Sequence, residues 1–400
     1  MGLTMVEELG RRLPGAQFKF VVHRHRFEME RKWAERFGIE IVPRLPYPAR
    51  YLLALNKVTR LFGIKPKDYK LKLAQYREYV AAMKEADVIL NNEGISYVGD
   101  GVRRWKVAIY EHSGFQYAKA LRRPYCRFIQ SYGPFDDWRV RWFARRELST
   151  LPLVLARGSS CAKACKTILP EDKVRCVPDC AVLLQACDDE TGEKLLPEGY
   201  SRGGYSILSP SAVIRHSVRK DVSGSIGQRH VDSFVELAKA MLGWGRRILF
   251  LPHMYSDIAG ECDREVCREI IAALPKSADI QLVEEDIGPR EAKWLIANSE
   301  GCVVSRYHAL VAAISTATPV VTIGWNVKYR DLLEFYDAAD MAVDARQFGP
   351  AELAIEVLRK LDSFDDALLE RVAAAHGRTA AAVGEAIDEL TYWMESLQER

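Results

Sequence analysis

The chain contains no apolar run approaching the ~20 residues needed to span a bilayer, and no charged-then-apolar leader opens it. A cytoplasmic protein is expected. Excess charge is also lacking: 57 lysines and arginines stand against 54 aspartates and glutamates, a net +3 over 400 residues. That balance gives no footing to nucleic-acid-binding or polybasic membrane proteins, so no nucleic-acid partner is expected. Internal repeats and low-complexity linkers are missing. So is any compact carboxylate cluster that would hold a metal, and none is expected.

Cysteine is present, but in no metal-binding pattern. Five of the nine crowd one segment: Cys161, Cys165, Cys176, Cys180 and Cys187. Two Cys-x3-Cys pairs separated by ten residues match neither the Cys-x2-Cys knuckles of zinc ribbons nor iron–sulfur runs. An odd total in a leaderless chain points to reduced thiols acting as small buried hydrophobes, with a metal or cluster site as the alternative.

What is present is an ordinary globular balance, 48% hydrophobic and 28% charged, at a length above that at which one core keeps growing. Strands and helices alternate throughout. Strands read at 18–22, 86–90, 127–130, 154–157 and 174–177, and helices at 27–37, 69–85, 138–148 and 160–169, make one α/β domain. The segment 188–204, rich in charge, Gly and Pro, is the candidate boundary. A second unit follows, with strands at 205–208, 247–251, 280–283, 302–304 and from 319, and helices at 230–242, 263–274, 289–298 and 309–315. The expected architecture is two Rossmann-like domains facing across a cleft, 1–190 and 200–360. Helices in 361–400 complete it, the last of them, 381–399, packing back on the first domain.

The most informative stretch is Ser305-Arg306-Tyr307-His308, at the carboxyl end of a buried strand. In open parallel sheets that edge is where ligands bind. Arginine offers a planar fork for carboxylate or phosphate and imidazole moves protons, so the pair suits a small anionic substrate. The alternative is a strand-capping arginine and a histidine satisfied by backbone. A further stretch, Trp138-Arg139-Val140-Arg141-Trp142-Phe143-Ala144-Arg145-Arg146, is basic and aromatic. It reads either as an ordinary amphipathic helix or as one that touches an anionic membrane.

In order and spacing, residues 80–340 resemble the polysaccharide pyruvyl transferase family. The resemblance rests on Tyr132-Gly133-Pro134-Phe135, Arg157-Gly158-Ser159-Ser160, Val177-Pro178-Asp179-Cys180-Ala181, Leu251-Pro252-His253 and, above all, Ser305-Arg306-Tyr307-His308-Ala309 through Pro319 to Lys328. It implies a GT-B-like fold and transfer of a pyruvyl group from phosphoenolpyruvate to two hydroxyls of a sugar, with no cofactor. The acceptor is then a sugar or lipid-linked glycan. Family members usually open with a strand and a Gly-Asn-x-Gly-Asp loop, whereas this chain opens directly into a helical run at 6–13. Where members often carry Gly-Gly-Gly-Asp on the acceptor side, this chain has Asn92-Glu93-Gly94.

Phosphoenolpyruvate carries close to three negative charges, so several fixed cations are needed. Arg306 is the candidate fork. The 210–228 loop, expected to be a mobile cover, supplies Arg215, His216, Arg219 and Lys220, and Lys328 adds a further charge. Solvated surface side chains are the plainer reading of these. His308 is the candidate acid/base and His253 a second donor, with a backbone-satisfied turn histidine as the other possibility. Asn92, Glu93 and Gly94 are placed near the acceptor. Three other readings remain open: a nucleotide-sugar glycosyltransferase using Glu284 or Glu285 on a ribose, a sugar epimerase of similar fold, and a non-catalytic carbohydrate-binding descendant.

Overall fold

A computed structural model describes residues 2–23, 27–44, 69–97, 104–216, 220–221, 224–256, 258, 260–324 and 327–397. The chain divides into two compact units, Gly2–Val177 with Ala386–Arg400, and Pro178–Glu385.

In the first unit all described strand pairs are parallel. Lys19–His23 pairs with Glu40–Arg44, Ile89–Asn91 with Tyr125–Arg127, Ile95–Ser96 with Ser131–Tyr132, and Val154–Arg157 with Val174–Val177. A bridge from Gln130 to Ala156 ties the residue just before Ser131–Tyr132 to the strand Val154–Arg157. The helix Trp138–Leu148 starts where the Asp137 carboxylate accepts the Arg139 N–H at 2.8 Å, an N-cap. It buries Val140, Ala144, Glu147 and Leu148, a stripe at helical spacing that joins the core around Phe115, Tyr132 and Phe135.

The second unit is a six-stranded parallel sheet. Its spatial order is Ile280–Leu282, Ile248–Phe250, Ser206–Ser209, Gly301–Val304, Val320–Ile323, Ala342–Val343. Numbered along this unit, that is 3-2-1-4-5-6, the dinucleotide-binding order. The two central strands, Ser206–Ser209 and Gly301–Val304, are buried at every residue, as strands covered on both faces must be. Strand order reverses between them, where Val304 pairs with Ser209.

The structure moves the crossing between units from the 188–204 segment to Val177 and Pro178. The supposed linker packs on the second unit. The Cys187 N–H bonds Arg290 O at 3.2 Å, and the Trp294 indole donates to Asp189 at 2.9 Å. At Gly192 a Cβ would lie 2.0 Å from Trp294, so this glycine permits a close approach where the sequence suggested flexibility. The described residues of the 210–228 stretch are structured too. Ala212–Arg215 is a short helix, and Lys220–Asp221 pairs antiparallel with Gly224–Ser225. The helix Ile226–Gly243 then begins earlier than expected, with Gly227 so close to Arg215 O that a Cβ would stand 1.9 Å away.

The last helix is also longer than its apolar pattern suggested. It runs Asp366–Glu395, 30 residues, with the Asp365 carboxylate accepting Leu368 N–H at 2.8 Å in its first turn. From Ala386 on it belongs with the first unit, where Arg12 pairs with Asp388 and Arg175 with Glu389.

Candidate active site

The reversal of strand order sets the site's place. The Ser305 N–H bonds Ser209 O at 2.9 Å, and Ser305 O accepts the Tyr329 hydroxyl at 2.9 Å, fixing the backbone as it leaves the strand. Arg306 is extended (φ −99, ψ 133) and caps the helix Tyr307–Ser315. Its guanidinium grips Asp263, with Nε donating to Oδ2 at 2.7 Å and to Oδ1 at 3.0 Å, and Nη2 also donating to Oδ1. The Asp263 side chain is wholly buried, whereas that of Arg306 keeps 17% exposure.

Asp263 does more than neutralise Arg306. Its carboxylate accepts Ala212 N–H at 2.8 Å and His253 N–H at 3.3 Å. Loops that follow three strands, Ser206–Ser209, Ile248–Phe250 and Gly301–Val304, are therefore tied to one buried charge. Sequence reasoning missed this aspartate. Its only local signal is an acid in the first turn of the helix Asp263–Ala272, common enough through the helix dipole alone.

Two buried histidines flank this centre. Burial, then the Arg306 charge, pushes His253 down to about 4. Burial, then Arg306 and Arg215, pushes His230 down to about 3. Both rings are neutral at pH 7. Ser211 N–H donates to His230 Nε2 at 3.1 Å, which puts the ring proton on Nδ1. That Nδ1, His253 Nδ1 and Ser305 Oγ are buried polar atoms without a hydrogen-bond partner. Buried polar atoms with unused capacity are uncommon and suit a ligand site.

The expected site residues are placed as follows. His308 does not continue an extended loop: it lies in the first turn of the helix, exposed, with its ring 5.7 Å from Tyr307. Lys328 stands 5.3 Å from the Tyr307 ring centroid and 5.2 Å from that of Tyr329, beside the same helix start. Arg306, His253, His308 and Lys328 thus share one edge of the second unit. Arg215 is engaged elsewhere, with a two-pronged pair to Glu269 at 2.8 Å. Arg219 lies outside the described residues, and so does the side chain of Lys220. Glu284 is paired with Arg268.

Asn92, Glu93 and Gly94 belong to the first unit, after the strand Ile89–Asn91. Glu93 pairs with Arg44 at 2.5 Å, and Asn92 Oδ1 is buried without a partner. Gly94 has φ 74, which favours glycine, and its carbonyl accepts Arg157 at 2.9 Å and Ser131 N–H at 3.0 Å. Beneath this loop sits a polar network that the sequence did not reveal. Arg127 and Glu147, both fully buried, pair at 2.5 Å, and His112 and the Tyr97 hydroxyl join the same carboxylate. Burial would raise Glu147, but the Arg127 charge and these hydrogen bonds hold it down at about 2. Burial pushes neighbouring Glu111 up to about 7. Among the described residues no group of three His, Cys, Asp or Glu side chains is placed to hold a metal, and none of the nine cysteines forms a disulfide.

Arg306, the first amides of the helix Tyr307–Ser315 and the buried ring of His253 thus lie by the reversal point of a Rossmann-type sheet, the edge at which such sheets bind ligands. The whole chain has the GT-B type of fold. It is similar to UDP-GlcNAc 2-epimerase from Methanocaldococcus jannaschii, at 11% identity and TM-score 0.58 over 98% of this chain and 96% of that one. It is also similar to UDP-GlcNAc 2-epimerase from Neisseria meningitidis bound to UDP-GlcNAc, at 12% and 0.57 over 97% and 95%. No curated protein matches the sequence significantly. The polysaccharide pyruvyl transferase profile matches residues 29–327. The chain belongs to that family of transferases.

Proposed function

We propose that the protein transfers a pyruvyl group from phosphoenolpyruvate to two hydroxyls of a sugar in a polysaccharide or its precursor, releasing phosphate and leaving a cyclic ketal. The observation that carries this reading is Arg306, anchored by buried Asp263 where the strand order reverses, at the start of a helix and on the same edge as Lys328, His253 and His308. Membership in the family agrees with it.

The donor is a compact anion. Arg306 presents its remaining guanidinium face, and the first N–H groups of the helix Tyr307–Ser315 add partial positive charge. In the reaction a proton goes to the methylene carbon and one sugar hydroxyl attacks the central carbon, losing its own proton. The second hydroxyl then displaces phosphate, which leaves carrying a proton, so the steps balance. His308, exposed in the first turn, is the proton carrier in this scheme. His253, neutral and buried, serves instead as a hydrogen-bonding group.

A thermal-shift comparison tests the donor. Phosphoenolpyruvate at about 100 times its Kd stabilises the fold by about 2.7 kcal/mol, whereas nucleotide diphospho-sugars leave the melting temperature unchanged. The reverse ranking would favour a nucleotide-sugar transferase. Phosphate release with a mass gain in a panel of lipid-linked or nucleotide-linked sugars identifies the acceptor.

A further inference from the structure

The helix Trp138–Leu148 turns its tryptophans the wrong way for a core helix. Trp138 is 73% exposed and Trp142 51%, while Val140, Ala144, Glu147 and Leu148 face inward. Tryptophan is ordinarily among the most buried side chains on average. An ordinary amphipathic helix would have put these indoles inside. Trp138, Arg141, Trp142 and Arg145 follow helical spacing along the outer face, and Arg146 stands over the Trp142 ring at 5.2 Å. Among the residues of this helix, all of them described, no acidic side chain lies on that face. Glu147 is buried against Arg127, and Asp137 at the helix start is held by Arg139. Lys173 adds charge at the far end, donating to Ser149 O at 2.6 Å.

We propose that this face docks the protein on an anionic lipid bilayer. Indoles seat at the headgroup level, with arginines beside them for anionic headgroups. The complementarity is local, because the chain as a whole is nearly neutral. A convex helix face offers no groove to track a nucleic-acid strand, and this favours the lipid surface. One such helix gives reversible attachment. The proposal stands apart from the pyruvyl-transfer reading, since docking is measured without donor or acceptor.

The full chain is sedimented with vesicles of equal parts phosphatidylglycerol and phosphatidylcholine, and with phosphatidylcholine alone. Binding is expected to the anionic vesicles only, and to weaken as salt rises. Trp138→Ser with Trp142→Ser abolishes it. Arg145→Gln and Arg146→Gln each weaken it about fivefold. All four side chains are exposed, and circular dichroism checks that the variants fold. If the tryptophan pair misfolds, the arginine variants carry the test. Equal binding to both vesicle types, undiminished binding by the folded variants, or displacement of the vesicles by single-stranded RNA overturns the proposal.

Discussion

Arg306 is clamped by Asp263 through two nitrogens, Nε at 2.7 Å from Oδ2 and Nη2 on Oδ1, and the aspartate side chain has no exposed surface. Breaking such a pair leaves a buried charge alone. Asp263→Ala is therefore expected to cost about 3–5 kcal/mol. The clamp also predicts coupling. In a cycle with Arg306→Met and Asp263→Leu, the double variant should be more stable than the two single losses sum to, by about 0.5–3 kcal/mol. Additive losses in urea unfolding would mean that the two residues act independently.

Arg306→Lys keeps the charge and loses the planar fork. Donor binding is expected to weaken by about 1.5–3 kcal/mol, read from the phosphoenolpyruvate dependence of rate. An unchanged donor KM would take Arg306 out of the donor site.

His308 can be removed with little structural consequence, because it is exposed on the first helical turn. His308→Ala should leave stability within about 0.5 kcal/mol. Turnover should fall about 10²–10⁴-fold, with modest effect on donor affinity. Normal turnover would make the histidine structural and would rule out a proton route through it.

Much of the second unit is legible in the sequence, because most of its strands are largely apolar and its helices follow at regular intervals. Gly301–Val304 and Val320–Ile323 could hardly be anything else. The sixth strand, Ala342–Val343, is too short to carry a pattern. The start of the helix at Tyr307 reads as extended loop, since a tyrosine and a histidine before a run of small residues carry no capping signal. Charged residues whose partners lie far off in sequence are invisible to such a reading. Arg127 finds Glu147 and Arg306 finds Asp263 only through the fold, and the sequence names neither partner. The 188–204 segment misleads for a related reason: Gly192, which reads as flexible, is the glycine that lets Trp294 approach.

The loop after the strand Ile89–Asn91 offers a clean test of acceptor placement. Glu93→Ala removes one exposed ion pair, with Arg44, worth about 0.2–1 kcal/mol. Asn92→Ala removes an oxygen that has no partner to lose. Both variants should fold and should raise acceptor KM while donor KM stays put. Unchanged acceptor KM in both would remove the loop from the acceptor site.

Acid should loosen the protein through the two buried imidazoles. His253 and His230 are pushed down to about 4 and about 3 in the fold, against about 6.5 for a histidine in the unfolded chain. Between those values the unfolded chain binds the extra protons. The stabilisation is thus complete above about pH 6.5 and is lost as pH falls toward the folded values, by about 1.4 kcal/mol per pH unit for each ring. Glu111 works the other way in part of the same window, because its carboxyl is raised to about 7 and the folded state there holds the proton. The comparison must therefore be between parent and variant. His253→Gln cannot be protonated, so its urea-unfolding free energy should fall less steeply than the parent's from about pH 6.5 to about pH 5, the gap approaching 1.4 kcal/mol per unit. Parallel curves would show that His253 titrates alike in both states, and the neutral, buried role assigned to it at the Arg306 centre would have to be given up.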